Sequence, residues 1–316
     1  MSGRRAPAPF ADGDRLAADG VALAESAVAG GVSPTRELMR RFRRQIIPMI
    51  ALAVLLLIMI AAVFAPLIAP RDPNAQTGPT YEGPTSTYLL GTDEVGRDVL
   101  SRIVYGARPA LLSAFGVVAF ALVLALPIGL VAGYFGGRID GVLMRIADLI
   151  FTIPPLVLAL VLVSILGASF VTVVVAIGIV FTPGFSRLVR AQVLAVREET
   201  FVEASRSLGV GAPRMLARHV LPNIASPLIV QVALGLGYAL LSEAGLSFLG
   251  FGGVKAPDAS WGQMMANAYN GGQVLVSQWP FVPPGVAILL TVLCFNLVGD
   301  GLRDALGRES FSEPSR

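Results

Sequence analysis

Phe201–Pro222, FVEASRSLGVGAPRMLARHVLP, lies between two long apolar segments and concentrates Glu203, His219, Arg206, Arg214 and Arg218. What chemistry this group can do is bounded by counting. His219 is the single histidine of the chain and Cys294 the single cysteine. A His-rich metal site, a Ser/His relay inside the membrane, an internal disulfide and a cysteine-built metal site are therefore all excluded. The one lysine, Lys255, sits in Gly252-Gly-Val-Lys-Ala256, which lacks the spacing of a phosphate-binding loop. If ATP drives this protein, another chain binds it. Recognition of a second surface is the remaining role for the charged stretch.

Its local physics predicts helix, turn, helix. Thr200-Phe-Val-Glu203 is written as a capping box, threonine hydroxyl to the Glu203 amide and carboxylate back to the Thr200 amide. Gly209 supplies a left-handed stop, Pro213 suits the first turn of a second helix, and Pro222 is expected to close that helix. Ala204 and Ser205 are small, so another surface can approach the first helix closely. The bland alternative is a loop that merely caps its own helices.

The hairpin is held by a chain made for lipid. Of 316 residues, 54% are hydrophobic and only 14% charged, with mean hydropathy +0.72; soluble domains carry about 25% charge. The net charge of +3 is too small to suggest nucleic acid. A membrane-spanning helix needs about 20 mostly apolar residues. Six such runs appear: Ile46–Ala69, Ala110–Ala132, Val142–Leu166, Ser169–Ser186, Ile224–Glu243 and Phe281–Val298. Pro127, Ile153-Pro154-Pro155 and Thr182-Pro183-Gly184 interrupt them, as is tolerable where neighbouring helices re-satisfy the backbone.

With the N-terminus inside, the inner segments hold 19 Arg and the outer loops five Lys or Arg. The excess of positive charge places both termini and the hairpin in the cytoplasm. Residues 1–37, rich in Ala, Gly and Pro, read as a mobile tail. No apolar core precedes Ile46, so the first run is expected to stay as an anchor in residues 38–70. Residues 71–108 form an outer loop, 109–306 a core of five spans including the hairpin at about 199–222, and 307–316 a second tail.

In the outer loop, Tyr88–Arg108 places Val95, Val99, Leu100, Ile103 and Val104 on one side of a helical wheel and Glu94, Arg97, Asp98, Ser101 and Arg102 on the other. That pattern predicts an amphipathic helix at the membrane surface, with Asp93 and Glu94 in its first turn. Two carboxylates fall in or near spans, where an ionisable group is a functional hypothesis by default. Asp148 has Arg145 three residues earlier on the same face, which suggests a structural pair over a transport role. Glu243, at the end of the fifth run, is open to two readings: an outer-cavity or gate contact, or an interfacial helix end. Trp261 and Trp279 lie in a charge-poor outer loop, where interfacial anchoring and docking of a binding protein both remain open.

The hairpin spacing carries a resemblance. Glu203-Ala204, Gly209 six residues after the glutamate, nine residues, then His219-Val-Leu-Pro222 is similar to the EAA motif of ABC-importer permeases, departing at Ser205 and His219. Leu90-Gly-Thr-Asp-x-x-Gly-Arg-Asp98, Phe64-Ala-Pro-Leu-Ile-Ala-Pro70, Gly133-Tyr-Phe-Gly-Gly137, Glu243-Ala-Gly-Leu-Ser-Phe-Leu-Gly250 and Gly299-Asp-Gly-Leu-Arg-Asp304 resemble the C-type permease subunit of dipeptide and oligopeptide ABC importers. The resemblance runs from about Leu38 to Leu306.

It implies an all-α integral membrane protein with six transmembrane helices of the type I importer permease fold, in a bacterial cytoplasmic membrane. It implies that Glu203, Ala204, Ser205, Arg206, Leu208, Gly209, His219 and Pro222 form a coupling element for a cytoplasmic ATPase. Implied partners are a second homologous permease, two ATP-binding subunits that hold ATP and Mg, and an extracytoplasmic substrate-binding protein. No cofactor, metal or enzymatic activity is expected in this chain itself. Close relatives of that family import dipeptides, longer peptides, glutathione or nickel, and these motifs do not separate them. A secondary transporter using Asp148 or Glu243 is the competing class, but matching broken helices in two sequence halves are not evident. A membrane enzyme is disfavoured because no ligand or nucleophile cluster has the needed spacing.

Overall fold

Apolar runs interrupted by proline and glycine fold here into long helices packed through their small residues. The computed structural model describes residues 34–254, 258–272 and 277–307. Most of the predicted N-terminal tail, the C-terminal residues after 307 and Lys255 lie outside the described residues.

Helix α1, Pro34–Arg43, starts at a proline and carries Arg40, Arg41 and Arg43 in its last turn, where cations suit the helix dipole. It begins inside the segment read as a tail. The remaining unit runs from Gln45. Its elements are α2 (Ile46–Val63), α3 (Ala65–Ile68), α4 (Val99–Phe135), α5 (Gly137–Phe151), α6 (Pro155–Leu166), α7 (Phe170–Arg197), α8 (Thr200–Ser207) and α9 (Ala212–Met215). A π turn over Leu216–Val220 leads into α10 (Leu221–Phe248), followed by α11 (Trp261–Asn270) and α12 (Val282–Gly307).

Among the described residues, five helices are long and apolar enough to cross a membrane: α2, α4, α7, the continuous stretch Ala212–Phe248, and α12. The third predicted span, Val142–Leu166, is not one helix. It is the pair α5 and α6, bent by 86°. Pro154 and Pro155 have no amide to donate and restrict the residue before them, so the helix ends at Phe151 and restarts. Counting that pair as one crossing gives six.

The core centres on α4, which packs most extensively against α7 and also meets α10. Ala110, Ala114, Ala121, Ala125, Gly129 and Gly133 are buried along one stripe of α4. A Cβ at Gly129 would come within 2.6 Å of the Val189 Cβ, and one at Gly133 within 2.7 Å of the Val193 Cβ. The two backbones therefore approach as closely as small-residue spacing allows, the usual way helices associate where the surroundings are already apolar.

The outer segment before α4 departs from expectation. Among the described residues, Tyr88–Asp98 contains no helix; the helix starts only at Val99 and runs on through the second span. The reason is local. The Asp93 carboxylate accepts the amides of Val95 and Arg97 at 3.0 and 2.9 Å, closing a turn instead of a helix. The Asp98 carboxylate then caps α4 by accepting the Ser101 amide at 2.8 Å. Polar groups that the wheel placed on a wet face are buried: Arg97, Asp98, Ser101 and Arg102 are each at most 7% exposed, and so is Asp93, expected in the first turn. Arg97 Nε donates to Asp93 at 2.6 Å, and Arg102 donates to the Pro73 carbonyl at 3.0 Å. The Leu-Gly-Thr-Asp-x-x-Gly-Arg-Asp phrase builds a folded cap over the helix ends. Trp261 joins this end of the molecule as a buried side chain, its indole donating to the Ile103 carbonyl at 2.9 Å, so it is no interfacial anchor.

Candidate functional site

The hairpin stands at the opposite end of α4 from the cap, and a second small core seats it. Val189 and Val193 of α7, Val202 of α8, Met215 of α9, Val220 of the π turn and Ile224 of α10 are each at most 1% exposed and cluster together. Leu126, Leu130 and Tyr134 of α4 pack against that cluster. Val189 and Val193 thus face two ways, onto the glycines of α4 and into the seat of the hairpin. Displacing the hairpin therefore strains the contact between α4 and α7, because close-packed side chains transmit displacement.

Helix α8 ends as expected at Gly209, whose φ of +79° is left-handed. The Gly209 amide donates to the Arg206 carbonyl at 2.9 Å and the Val210 amide to the Ser205 carbonyl at 3.2 Å, the paired bonds of a Schellman stop. Pro213 lies in the first turn of α9. Two expectations are corrected. Thr200 does not cap: the helix begins one residue early, Glu199 takes the cap position with extended backbone, and the Glu203 amide donates to the Glu199 carbonyl at 3.4 Å. Nor does Pro222 end a helix. Ala212–Phe248 runs through as one span. In a regular α-helix the Pro222 ring would strike the carbonyl four residues back; the wider π turn immediately before it, in which the Leu221 amide reaches Leu216, relieves that clash.

Glu203, Ala204, Arg206, Leu208, Gly209 and Pro222 are exposed, and Ser205 and His219 are half-buried. Leu208 is 85% exposed at the tip, and Phe201 also stands out. The Ser205 hydroxyl donates to the Phe201 carbonyl at 2.7 Å, and Asn223 Nδ2 donates to the His219 carbonyl at 2.6 Å. Arg206 lies over the Tyr134 ring at 4.9 Å. No salt bridge involves Glu203 among the described residues. The result is a carboxylate and an apolar tip offered on a closely packed base.

The helices behind the hairpin are braced by ion pairs that sequence reasoning missed. Arg190 makes a two-pronged contact with Asp140, Nε to Oδ1 at 2.5 Å and Nη2 to Oδ2 at 2.6 Å. Asp148 pairs with Arg187 and not with Arg145, because Arg187 reaches across from α7 and stacks 4.3 Å from the Phe151 ring centre. These partners are 50 and 39 residues apart, beyond what helical spacing reveals.

Glu243 is 5% exposed within α10, and the Ser247 hydroxyl donates to it at 2.6 Å. The helix continues to Phe248, five residues beyond the predicted end at Glu243. Among the described residues there is no group of three or more His, Cys, Asp or Glu that could hold a metal ion.

Residues 125–310 match the family described as the binding-protein-dependent transport system inner membrane component. Residues 33–84 match the N-terminal transmembrane domain of oligopeptide transport permease C. The dipeptide transport system permease protein of Alkalihalophilus pseudofirmus is 41% identical over 277 residues, covering 87% of this chain and 90% of that one. The glutathione transport system permease protein of Pectobacterium atrosepticum is 38% identical over 278 residues, covering 87% and 91%. Among solved structures, the inward-facing MetNI methionine ABC transporter superposes with a TM-score of 0.53 at 19% identity, over 65% of this chain and 96% of that one. That likeness shows the fold, the type I importer permease. The chain belongs to the inner-membrane permeases of binding-protein-dependent transport systems, in their dipeptide and oligopeptide permease C branch.

Proposed function

We propose that this chain and a second, homologous permease form the passage of an ATP-driven importer for di- and oligopeptides. Two cytoplasmic ATPases hold ATP and Mg, and an extracytoplasmic binding protein delivers the solute. Both termini and the hairpin face the cytoplasm, consistent with 19 Arg in the inner segments. The observation that carries the coupling role is the construction of the hairpin. Glu203, Ala204, Ser205, Arg206, Leu208, Gly209, His219 and Pro222 surround a surface whose buried seat is continuous with α4, α7 and α10. An ATPase that draws the hairpin inward moves those helices as a body, turning the passage from inward-open to outward-open; hydrolysis resets it. No reacting group is needed in this chain.

The peptide substrate is supported by the dipeptide-permease relative across 87% of the chain. Glutathione is a second reading, supported by the glutathione-permease relative; it is itself a small peptide, and the same passage chemistry serves both. The test is uptake of labelled di- to pentapeptides and of glutathione in cells with and without this chain. Chain-dependent uptake of a peptide length class supports the first reading, and chain-dependent uptake of glutathione alone replaces it with the second.

A further inference from the structure

The face carrying the α5–α6 break is poorly suited to lipid. Phe151 to Val157 are all exposed, although Thr152 to Pro154 are non-helical. Irregular backbone at membrane depth is tolerated only where protein covers it or where it lines water. A separate observation on α10 points the same way. Tyr238 is 62% exposed and Gln231 half-exposed, and neither side chain has a hydrogen-bond partner among the described residues. An amide or phenol left unpaired in hydrocarbon is strongly disfavoured.

The two features meet in one cleft. Phe151 and Pro155 from the break, Phe181 from α7, and Gln231, Tyr238 and Ser242 from α10 line a cavity of about 340 Å³. That is within the range of about 300–1,000 Å³ for small-molecule sites. The lining contains aromatic walls and neutral hydrogen-bonding groups, and no ionisable carboxylate, guanidinium or amine. Glu243, next in sequence to Ser242, is instead buried against Ser247.

We propose that this cleft is a stretch of the solute passage, in which Gln231 and Tyr238 hydrogen-bond the amide groups of a passing peptide; the proposal rests on the peptide-importer reading. Contacts to backbone amides are the same for every peptide sequence, and an uncharged lining neither traps nor repels charged side chains. The aromatic walls accept apolar side chains without further specification. This stretch therefore admits solutes by their peptide bonds and leaves selection by side chain to other parts of the importer.

The test exploits the buried position of Cys294, which is 3% exposed and supplies a silent background. Gln231→Cys, Tyr238→Cys and the near-isosteric Ser242→Cys are made in the full importer in membranes. They are treated with a charged, water-soluble methanethiosulfonate, with and without saturating alanyl-phenylalanine. Leu57→Cys, on an exposed apolar face of α2, is the comparison. The expected result is modification at least tenfold faster than at Leu57→Cys, slowed severalfold by the dipeptide. Rates no faster than Leu57→Cys at all three positions would overturn the proposal, marking a dry subunit contact or a lipid face. So would fast rates that the dipeptide does not change. Uptake of the same labelled dipeptide is followed in parallel. If uptake depends on the chain and the cysteines behave in either contrary way, the cleft assignment falls alone; if no dipeptide uptake depends on the chain, the importer reading falls and takes the cleft with it.

Discussion

Val193 lies so close to Gly133 that a Cβ at Gly133 would stand 2.7 Å from the Val193 Cβ, while the same valine is fully buried in the seat of the hairpin. One side chain thereby joins the helix pair at the centre of the fold to the surface offered to a partner. Gly133→Val should force α4 and α7 apart at a cost of about 1–3 kcal/mol, the usual penalty of overpacking. Pairing Gly133→Ala with Val193→Ala should recover part of the loss from either single change. Thermal unfolding in detergent would measure both, and strictly additive losses would show that the contact is not shared.

Gly209→Ala places a side chain at φ +79°. The left-handed conformation disfavours it by about 1–2 kcal/mol, so α8 should fray at its end while the spanning helices are untouched. Membrane insertion is expected to be normal and transport reduced. Gly209→Asn, which tolerates that conformation better, should fall between the two in an uptake assay.

At the opposite end, Asp93→Ala would leave Arg97 and Arg102 without the buried carboxylate that lies 2.6 and 3.4 Å from them. Losing one partner of a buried pair costs about 3–5 kcal/mol, and the cap over α4 should loosen. The expected readout is a marked fall in thermal stability and yield. Glu94→Gln should be far milder, since Glu94 is more exposed and an amide oxygen can still accept from Asn267.

Asp148 and Arg187 are 58% and 46% exposed at their side chains. Surface pairs of this kind contribute about 0–1 kcal/mol, so Asp148→Asn should leave stability nearly unchanged. Uptake should also survive. An ion-coupled transporter using Asp148 as its proton or sodium site would lose uptake in the same variant.

Much of this was legible because lipid simplifies the rules. Long apolar runs had to become helices, and Gly209 with Pro213 announced a turn between helices; the proline pair at 154–155 was visible as an interruption, but not as a bend of 86°. What failed were readings where a side chain had more than one candidate partner. The wheel over Tyr88–Arg108 could not register that Asp93 would bond the amides of Val95 and Arg97 and fold a turn. Spacing favoured Arg145 as the partner of Asp148, but Arg187 arrives from another helix. Thr200 lost its capping role to a shift of one residue, the scale at which helix ends are hardest to read. The seat of Val189, Val193, Val202, Met215, Val220 and Ile224 was present in the sequence only as apolar residues on five successive elements. Its signal is the apolar position on each short helix, which becomes meaningful once the hairpin is folded back.

The most direct measurement is made on Glu203→Lys, assayed for membrane insertion, for co-purification of the ATPase subunits and for peptide uptake. Glu203 is exposed and takes part in no salt bridge among the described residues, so folding should not notice the change. The expected result is normal insertion with loss of both ATPase association and uptake. Normal uptake, with the ATPases still bound, would contradict the role of the hairpin as the coupling element.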